Sequence, residues 1–252
     1  MNCPTDHVAQ CIHLETHKRT DVMQKIALVT GAHGNLGRTV VGRFLEEQYA
    51  VIGVDATQHP SSGHESAERY QSHSVDLMNE DAAGAFVHSV IAKHSRIDVA
   101  VLTVGGFAMG SIAETKTADI AHQYKLNFET TYNVARPVFL QMMNQGTGRL
   151  FLVGARPALS AAGSKGMIAY GLAKSLIFRL AELMNDEAAG TDVHVAVIVP
   201  SIIDTPQNRA AMPNADFAKW VTPEAIAAAI ARQVSDEPDA LHESVIKVYG
   251  DA

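Results

Sequence analysis

The residues best placed to do chemistry are Tyr170 and Lys174, in the segment Tyr-Gly-Leu-Ala-Lys. Residues four positions apart lie on the same face of a helix, so the phenol and the ammonium would be neighbours. A free tyrosine has a pKa of about 10 and exchanges its proton poorly at neutral pH, whereas a nearby positive charge lowers that pKa. The pair therefore predicts a site of proton transfer. The alternative is an amphipathic helix with an edge tyrosine and a solvated lysine.

A glycine-rich segment far upstream, Thr-Gly-Ala-His-Gly-Asn-Leu-Gly over residues 30–37, stands between a predicted strand and a predicted helix. Without side chains the backbone can approach a pyrophosphate, whose charge is favoured at the N-terminus of the following helix. That context predicts a dinucleotide site. An ordinary strand-to-helix turn is the alternative. The residues expected to contact the dinucleotide here are Gly31, His33, Gly34, Asn35, Leu36 and Gly37.

Asp55 ends the second predicted strand, where a carboxylate can accept hydrogen bonds from the adenosine ribose. Its charge would repel the additional phosphate of NADP, so the sequence favours NADH and NAD. His33 and Arg38 argue the other way, because basic groups near the glycine segment could hold that phosphate, and NADPH is the alternative. Asp76 and the adjacent Leu77 are expected near the adenine, with a simple strand-end cap as the alternative.

Strand-like apolar runs alternate with helical patterns along the chain, which is typical of a parallel sheet with helices on both faces. The predicted fold is α/β, a single Rossmann-type doubly wound parallel sheet of about seven strands. The predicted strands are 25–30, 50–55, 74–77, 97–104, 148–153, 193–199 and 244–249. The predicted helices are 35–48, 80–94, 117–145, 167–188 and 223–234. Polar loops are predicted over 57–73 and 201–221.

The 252 residues contain no internal repeat or linker, so we predict one dinucleotide-binding catalytic domain over 25–252, preceded by an extension over 1–24. The net charge of −7 and the lack of a basic cluster argue against nucleic acid as a partner. No apolar run approaches the roughly 20 residues that span a bilayer, so no membrane association is expected. A small-molecule substrate is the expected partner.

The extension lacks the apolar segment that a signal peptide contains, and its acidic residues argue against a transit peptide. It carries Cys3, Cys11, His13 and His17, but at spacings that match no zinc finger, so no metal site is predicted. The cytoplasm, a reducing compartment, is the simplest location for a chain without a disulfide framework.

Together these motifs resemble the short-chain dehydrogenase/reductase family over most of residues 25–250. The resemblance implies an oxidoreductase that uses NAD(H) or NADP(H), with Tyr170 and Lys174 as catalytic residues that also contact the cofactor. Asn127, in Lys-Leu-Asn-Phe, fits the helical asparagine that links the lysine to a water relay.

Further matches concern the cofactor and assembly. Gly105 closes Leu-Thr-Val-Gly, which stands where the family has Asn-Asn-Ala-Gly. Pro200 and Thr205 fit the segment that contacts the nicotinamide amide, with Ser201 in place of glycine. Because relatives pair through their two long helices, the resemblance implies a homodimer, with a homotetramer as the alternative.

One departure from the family is informative. Its catalytic serine usually follows the fifth strand, where this chain has Gly154 and Ala155, and neither carries a hydroxyl. Ser160 or Ser164 could substitute only if the loop folds back. A missing serine weakens the case for ordinary alcohol or ketone chemistry, in which that hydroxyl binds the substrate oxygen.

A narrower group within the family, the quinonoid dihydropteridine reductases, shares this departure. Similar segments include Val-Gly-Gly-Phe over 104–107 and the variable loop over 204–220. The likeness implies NADH-dependent reduction of quinonoid dihydropteridine, with Tyr170 as proton donor. The residues that it places near the substrate are Gly106, Phe107, Ala155 and Trp220.

Three alternatives stay open at this point. Phe107 is equally suited to the core, and Trp220 could anchor its loop instead of stacking on a ring. Asn127 departs from the narrower group and agrees with the wider family, which leaves open another reductase of a ketone, quinone or acyl substrate. A protein that senses NAD(H) without catalysis is the third.

Overall fold

The computed structural model describes residues 23–57, 63–64, 66–234 and 244–251. Within these ranges one sheet of seven strands has the order β3-β2-β1-β4-β5-β6-β7, and every neighbouring pair is parallel. The strands are β1 (Ile26–Thr30), β2 (Ala50–Asp55), β3 (Tyr70–Ser74), β4 (Val99–Leu102), β5 (Thr147–Val153), β6 (Asp192–Pro200) and β7 (Val245–Val248). The predicted α/β fold is confirmed. The strand order reverses between β1 and β4, where sheets of this kind bind their ligands.

Helices cover both faces of the sheet. They are α1 (Asn35–Glu46), α2 (Glu80–His94), α3 (Thr117–Tyr124), α4 (Thr130–Gln145), α5 (Arg156–Leu159), α6 (Ile168–Glu187), α7 (Pro206–Ala211) and α8 (Pro223–Arg232). Helices α1 and α8 share one buried apolar cluster with the sheet, and α2, α4 and α6 share the other. A sheet covered on both faces explains why its central strands are apolar runs without polar alternation.

The central strand β1 shows how the two cores are divided. Ile26 and Leu28 enter the cluster on the α4 side, while Ala27 and Val29 enter the cluster on the α1 side. All four are buried. Alternate side chains of a strand point to opposite faces, so every position of β1 meets a helix layer. The strand ends at Thr30, and its carboxyl end therefore opens directly onto the glycine turn.

The predicted third strand over 74–77 is wrong, because the strand lies at Tyr70–Ser74. β3 is the edge strand of the sheet, and it pairs only with β2 within the described residues. Only Tyr70 of this strand is buried, Gln71 and His73 are partly buried, and Ser72 and Ser74 are exposed, so polar residues are tolerated in it. Those polar residues made the segment resemble a loop.

Two other elements differ from the predictions. The helix predicted over 117–145 is interrupted by a π-helical turn, Lys125–Glu129, between α3 and α4. The loop predicted over 201–221 contains α7 and a short helical turn, Phe217–Lys219. Such π-turns are frequent at functional sites.

The predicted extension falls almost entirely outside the described residues, and so do its cysteines and histidines. In the ranges given above, no helix combines the length and apolar character needed to cross a membrane. No group of three or more His, Cys, Asp or Glu side chains in the same ranges is arranged to hold a metal ion.

Gln145 ties the end of α4 to the middle of the sheet. Its Oε1 accepts the Ile97 N–H at 2.8 Å, and its Nε2 donates to the carbonyl groups of Ile97 and Thr147 at 3.0 and 3.1 Å. One side chain thus satisfies three backbone groups at the entrances to β4 and β5.

We predict that Gln145→Leu lowers the free energy of unfolding by about 1–3 kcal/mol, because it leaves partly buried backbone groups unpaired. The control is Gln71→Leu, which removes a single exposed bond from Lys93 Nζ and should cost less than about 0.5 kcal/mol. Urea denaturation of both variants measures the difference. Equal losses would show that Gln145 has no special structural role.

Candidate active site

The glycine turn forms a cradle made of backbone. Gly31 has a φ of 65°, in the left-handed region that favours glycine. A Cβ there would lie 2.6 Å from Thr103 Oγ1, and a Cβ on Gly37 would collide with the Gly31 carbonyl. Gly34 provides no side-chain cap for α1, so the first N–H groups of the helix are available to an anion.

Asp55 at the end of β2 is held by His33. Its Oδ2 accepts the His33 backbone N–H at 2.7 Å and lies 2.8 Å from His33 Nδ1. The His33 ring is almost completely buried and also lies near Ser72 Oγ, at 3.5 Å. Among the described residues no hydrogen bond occupies Asp55 Oδ1. The carboxylate is therefore fixed in orientation with one oxygen available.

The two residues predicted near the adenine have structural partners. Asp76 Oδ1 accepts the Met78 N–H at 3.0 Å, which is the capping role given above as the alternative. Leu77 is buried, and its carbonyl accepts a hydrogen bond from Asn133 Nδ2 at 3.0 Å. These contacts fix the turn between β3 and α2.

Helix α6 presents Tyr170 and Lys174 at its N-terminal end. Lys174 is 4% exposed, and its Nζ donates to the Val153 carbonyl at 2.7 Å. Burial lowers the pKa of Lys174 to about 8. Burial also raises the pKa of Tyr170 to about 12, contrary to the lowering expected from the lysine charge. The expectation was wrong because it neglected the cost of placing a phenolate in a site of low polarity.

Asn127 joins this pair to the loop after β4. It lies in the π-helical turn with no exposed surface. Its Oδ1 accepts the Gly106 N–H at 3.1 Å, and its Nδ2 donates to the Gly106 carbonyl at 3.0 Å. A Cβ on Gly105 would come within 2.7 Å of Asn127 Oδ1 and 3.2 Å of Lys174 Nζ. Glycine at this position therefore allows the loop to pack against both side chains.

Phe107 and Trp220 have different surroundings. The Phe107 ring contacts the Tyr170 ring edge-to-face, with centroids 5.0 Å apart, and is 59% exposed. Trp220 is buried, with its ring 4.8 Å from that of Phe217. The Arg209 guanidinium lies over the Phe217 ring, with its Cζ 4.8 Å from the ring centroid. These contacts favour the loop-anchoring role for Trp220.

No serine occupies the place left open after β5. Gly154 and Ala155 are both buried there. Ser160 Oγ accepts the Ala162 N–H at 3.2 Å, and Ser164 Oγ donates to the Ser160 carbonyl at 2.8 Å. The Ser164 O–H is thus used within its own turn, whereas the Ser160 oxygen only accepts there and its O–H makes no hydrogen bond among the described residues.

The loop after β6 reaches the glycine turn through a contact that sequence reasoning missed. Asn35 Nδ2 donates to Gln207 Oε1 at 2.8 Å, which joins the start of α1 to α7. Thr205 caps α7 by accepting the Asn208 N–H at 3.2 Å, just beyond Pro200 at the end of β6. No sequence signal pairs residues 172 positions apart.

The fold and this site define a short-chain dehydrogenase. The family profile described as short chain dehydrogenase matches residues 25–216, and the chain belongs to that family of oxidoreductases.

Among its curated relatives is a dihydropteridine reductase from Dictyostelium discoideum, 27% identical over 79% of this chain and 82% of that protein. An acetoacetyl-CoA reductase from Acinetobacter sp. is also 27% identical, over 73% of this chain and 76% of that protein. The solved structure of ElxO with NADP bound has the same fold, with a TM-score of 0.81 at 21% identity over 90% of this chain and 97% of that one.

We predict that Gly154→Ser, which supplies a hydroxyl after β5, lowers the free energy of unfolding by about 1–3 kcal/mol through overpacking. A Cβ there would lie 2.6 Å from Val197 Cγ1 and 2.8 Å from Phe178 Cζ. The matched control is Gly171→Ser in α6, where a Cβ meets nothing closer than 3.8 Å. Thermal unfolding compares the two, and a stable Gly154→Ser variant would contradict the packing argument.

Proposed function

We propose that this oxidoreductase reduces a quinonoid dihydropteridine to the tetrahydropteridine, with NADH as hydride donor. The observation that carries the proposal is the set of Tyr170, Lys174 and Asn127 together with Gly154 and Ala155, which carry no hydroxyl, at the start of the loop after β5. A ketone gains from a hydrogen bond to its developing oxyanion. An electron-poor quinonoid ring accepts hydride readily, so the missing hydroxyl matters less. The Dictyostelium relative supports this substrate class.

The residues present fit a dinucleotide. The backbone cradle at the glycine turn and the uncapped start of α1 suit a pyrophosphate, and Asp55 Oδ1 suits a ribose hydroxyl. We favour NADH because the carboxylate repels a further phosphate, and because His33 is already bound to that carboxylate. The residues that we assign to the cofactor are Gly31, His33, Gly34, Asn35, Leu36, Gly37, Asp55, Asp76, Leu77, Gly105, Tyr170, Lys174, Pro200 and Thr205.

The proposed chemistry divides into two parts. NADH, when bound, supplies the hydride. Tyr170 supplies the proton, and because burial raises its pKa to about 12 it keeps that proton at neutral pH until the reaction needs it. Lys174, still largely an ammonium at neutral pH, stabilises the phenolate that remains. Asn127 holds the loop that faces them through Gly106.

For the substrate we propose contacts with Gly106, Phe107 and Ala155. The half-exposed Phe107 ring beside Tyr170 offers a surface on which a planar ring can stack. Trp220 supports that surface only indirectly, through the packing of its loop.

A second candidate is reduction of a ketoacyl thioester, which the Acinetobacter relative favours. That reaction places negative charge on a carbonyl oxygen in the transition state. The chain has no side-chain hydroxyl at Gly154 or Ala155 to stabilise it, so we rank this candidate second.

We also propose a homodimer. Exposed apolar side chains lie on the two long helices, the faces through which the family resemblance implies pairing. On α4 they are Tyr132 and Leu140, and on α6 they are Leu172, Leu176 and Leu183.

We predict that Tyr170→Phe retains NADH binding and loses turnover of quinonoid dihydropterin by about 100- to 10,000-fold, the usual contribution of a positioned proton donor. Tyr249→Phe, at a half-exposed tyrosine that follows β7, is the matched control and should keep full activity. Initial rates and NADH fluorescence titrations measure the two effects separately. Full activity in Tyr170→Phe would remove the proton-donor assignment.

We predict that kcat/KM for NADH falls as the pH rises through about 8, where Lys174 loses its proton. The pKa is depressed, so the ammonium is present below that pH and absent above it. Lys174→Arg should keep its charge and lose this alkaline limb, because guanidinium stays protonated. A limb near pH 8 that persists in the variant would assign the titration to another group.

A further inference from the structure

A cleft of about 820 Å³ opens between α3, the loop after β4 and the turn before α6. Its wall includes Ala108 and Ala169, the residues next in sequence to Phe107 and Tyr170. The volume lies within the range of about 300–1,000 Å³ that is usual for small-molecule sites. The cleft is therefore large enough for a heterocycle, and two of its wall residues are the chain neighbours of residues in the proposed reaction site.

Gln123 lies in this cleft and is 3% exposed. Its Oε1 accepts a hydrogen bond from Asn127 Nδ2 at 3.0 Å. In the part of the chain that the structure describes, no hydrogen bond occupies Gln123 Nε2. Gln123 Nε2 is not among the fully buried atoms that lack a partner, so this donor reaches the open space of the cleft and is available to a ligand that brings an acceptor.

The orientation of both amide groups follows from a backbone group. The Gly106 N–H can only donate, so the Asn127 atom that it contacts is the oxygen. Asn127 Nδ2 then faces Gln123, and because Nδ2 can only donate, the Gln123 atom that it contacts is also the oxygen. The remaining atom, Gln123 Nε2, is left for the cleft.

The charged groups of the cleft argue against an anionic ligand. Two carboxylates, Glu114 and Asp119, line it together with Lys165 and His122. Hydrogen bonds from the Ser111 backbone and hydroxyl hold the pKa of Glu114 below its usual value, so this carboxylate stays ionised. The rim therefore favours N–H and amino groups, while Gln123 favours a carbonyl.

We propose that this cleft binds the lactam edge of the pterin substrate, with Gln123 Nε2 donating to the ring carbonyl. The proposal rests on the dihydropteridine reductase function proposed above and deepens it. The pterin edge carries a carbonyl beside ring N–H and amino groups, which is the combination that the cleft offers. Gln123 would thus determine specificity for the ring carbonyl and leave the hydride and proton steps to the catalytic pair.

The test exchanges acceptor for donor on the ligand, and donor for acceptor at residue 123 of the protein. The ligands are pterin and diaminopteridine, in which an amino group replaces the ring carbonyl, and calorimetry measures their binding to the protein saturated with NAD. The wild type should prefer pterin by about tenfold or more, a typical effect of one buried hydrogen bond. Gln123→Glu should reverse the preference, because its carboxylate accepts from the amino group and still accepts from Asn127.

The matched control is Gln141→Glu on α4, which makes the same chemical change where the side chain contacts Ser95 and Gln145. It should leave the preference unchanged. Equal loss of both ligands in Gln123→Glu would show that Gln123 only positions Asn127, and would overturn the proposal. A wild type that does not discriminate between the ligands would overturn it as well.

Turnover of quinonoid dihydropterin by the same wild-type preparation separates this proposal from the function on which it rests. If the wild type turns over quinonoid dihydropterin but Gln123→Glu leaves the ligand preference unchanged, the proposed function stands and the role of the cleft is overturned. If Gln123→Glu reverses the ligand preference but the wild type shows no turnover, the cleft stands as a pterin site and the proposed function is overturned.

Discussion

The site depends on the buried amide of Asn127. Its Oδ1 accepts the Gly106 N–H and its Nδ2 donates to the Gly106 carbonyl. The same Nδ2 also donates to Gln123 Oε1. A fully buried polar group of this kind is stable only when its hydrogen bonds are satisfied, so it fixes the positions of its partners. The π-helical turn between α3 and α4 places Asn127 where it can do this. The loop after β4 and the helical segment that contains α3 and the π-helical turn are thereby held in one arrangement.

Burial shapes the chemistry of the neighbouring residues. It raises the pKa of Tyr170 to about 12 and lowers that of Lys174 to about 8, so at neutral pH the phenol keeps its proton and the lysine is mostly charged. That state suits reduction, in which the tyrosine gives up a proton. Gly154 and Ala155 carry no hydroxyl that could polarise the acceptor. We therefore propose an acceptor that needs little polarisation, such as the quinonoid pteridine.

The sequence predicted the fold well in those elements whose residue types are determined by burial. The apolar run of β1 and the glycine turn after it could be read directly, because a central parallel strand and a backbone cradle each require particular residue types. The edge strand β3 was misplaced, because only Tyr70 of its residues is buried and the others are polar.

The parts of the site that the sequence did not predict depend on long-range contacts. The Asn35–Gln207 hydrogen bond and the available amide of Gln123 have no local signal, since each depends on how distant segments fold together. The sequence also gives no indication of the π-helical turn, because the helical pattern is continuous on both sides of it. The pKa of Tyr170 was misjudged for the same reason, because desolvation is a property of the packed structure and not of residue spacing.

The central claim is that this short-chain dehydrogenase acts on a quinonoid pteridine. The most direct measurement is the initial rate of NADH oxidation by the purified protein with freshly generated quinonoid dihydropterin, compared with acetoacetyl-CoA and with NADPH as cofactor. We predict rapid turnover of the pterin with a preference for NADH, and little turnover of the thioester. Faster reduction of acetoacetyl-CoA, or NADH binding without any pterin turnover, would contradict it.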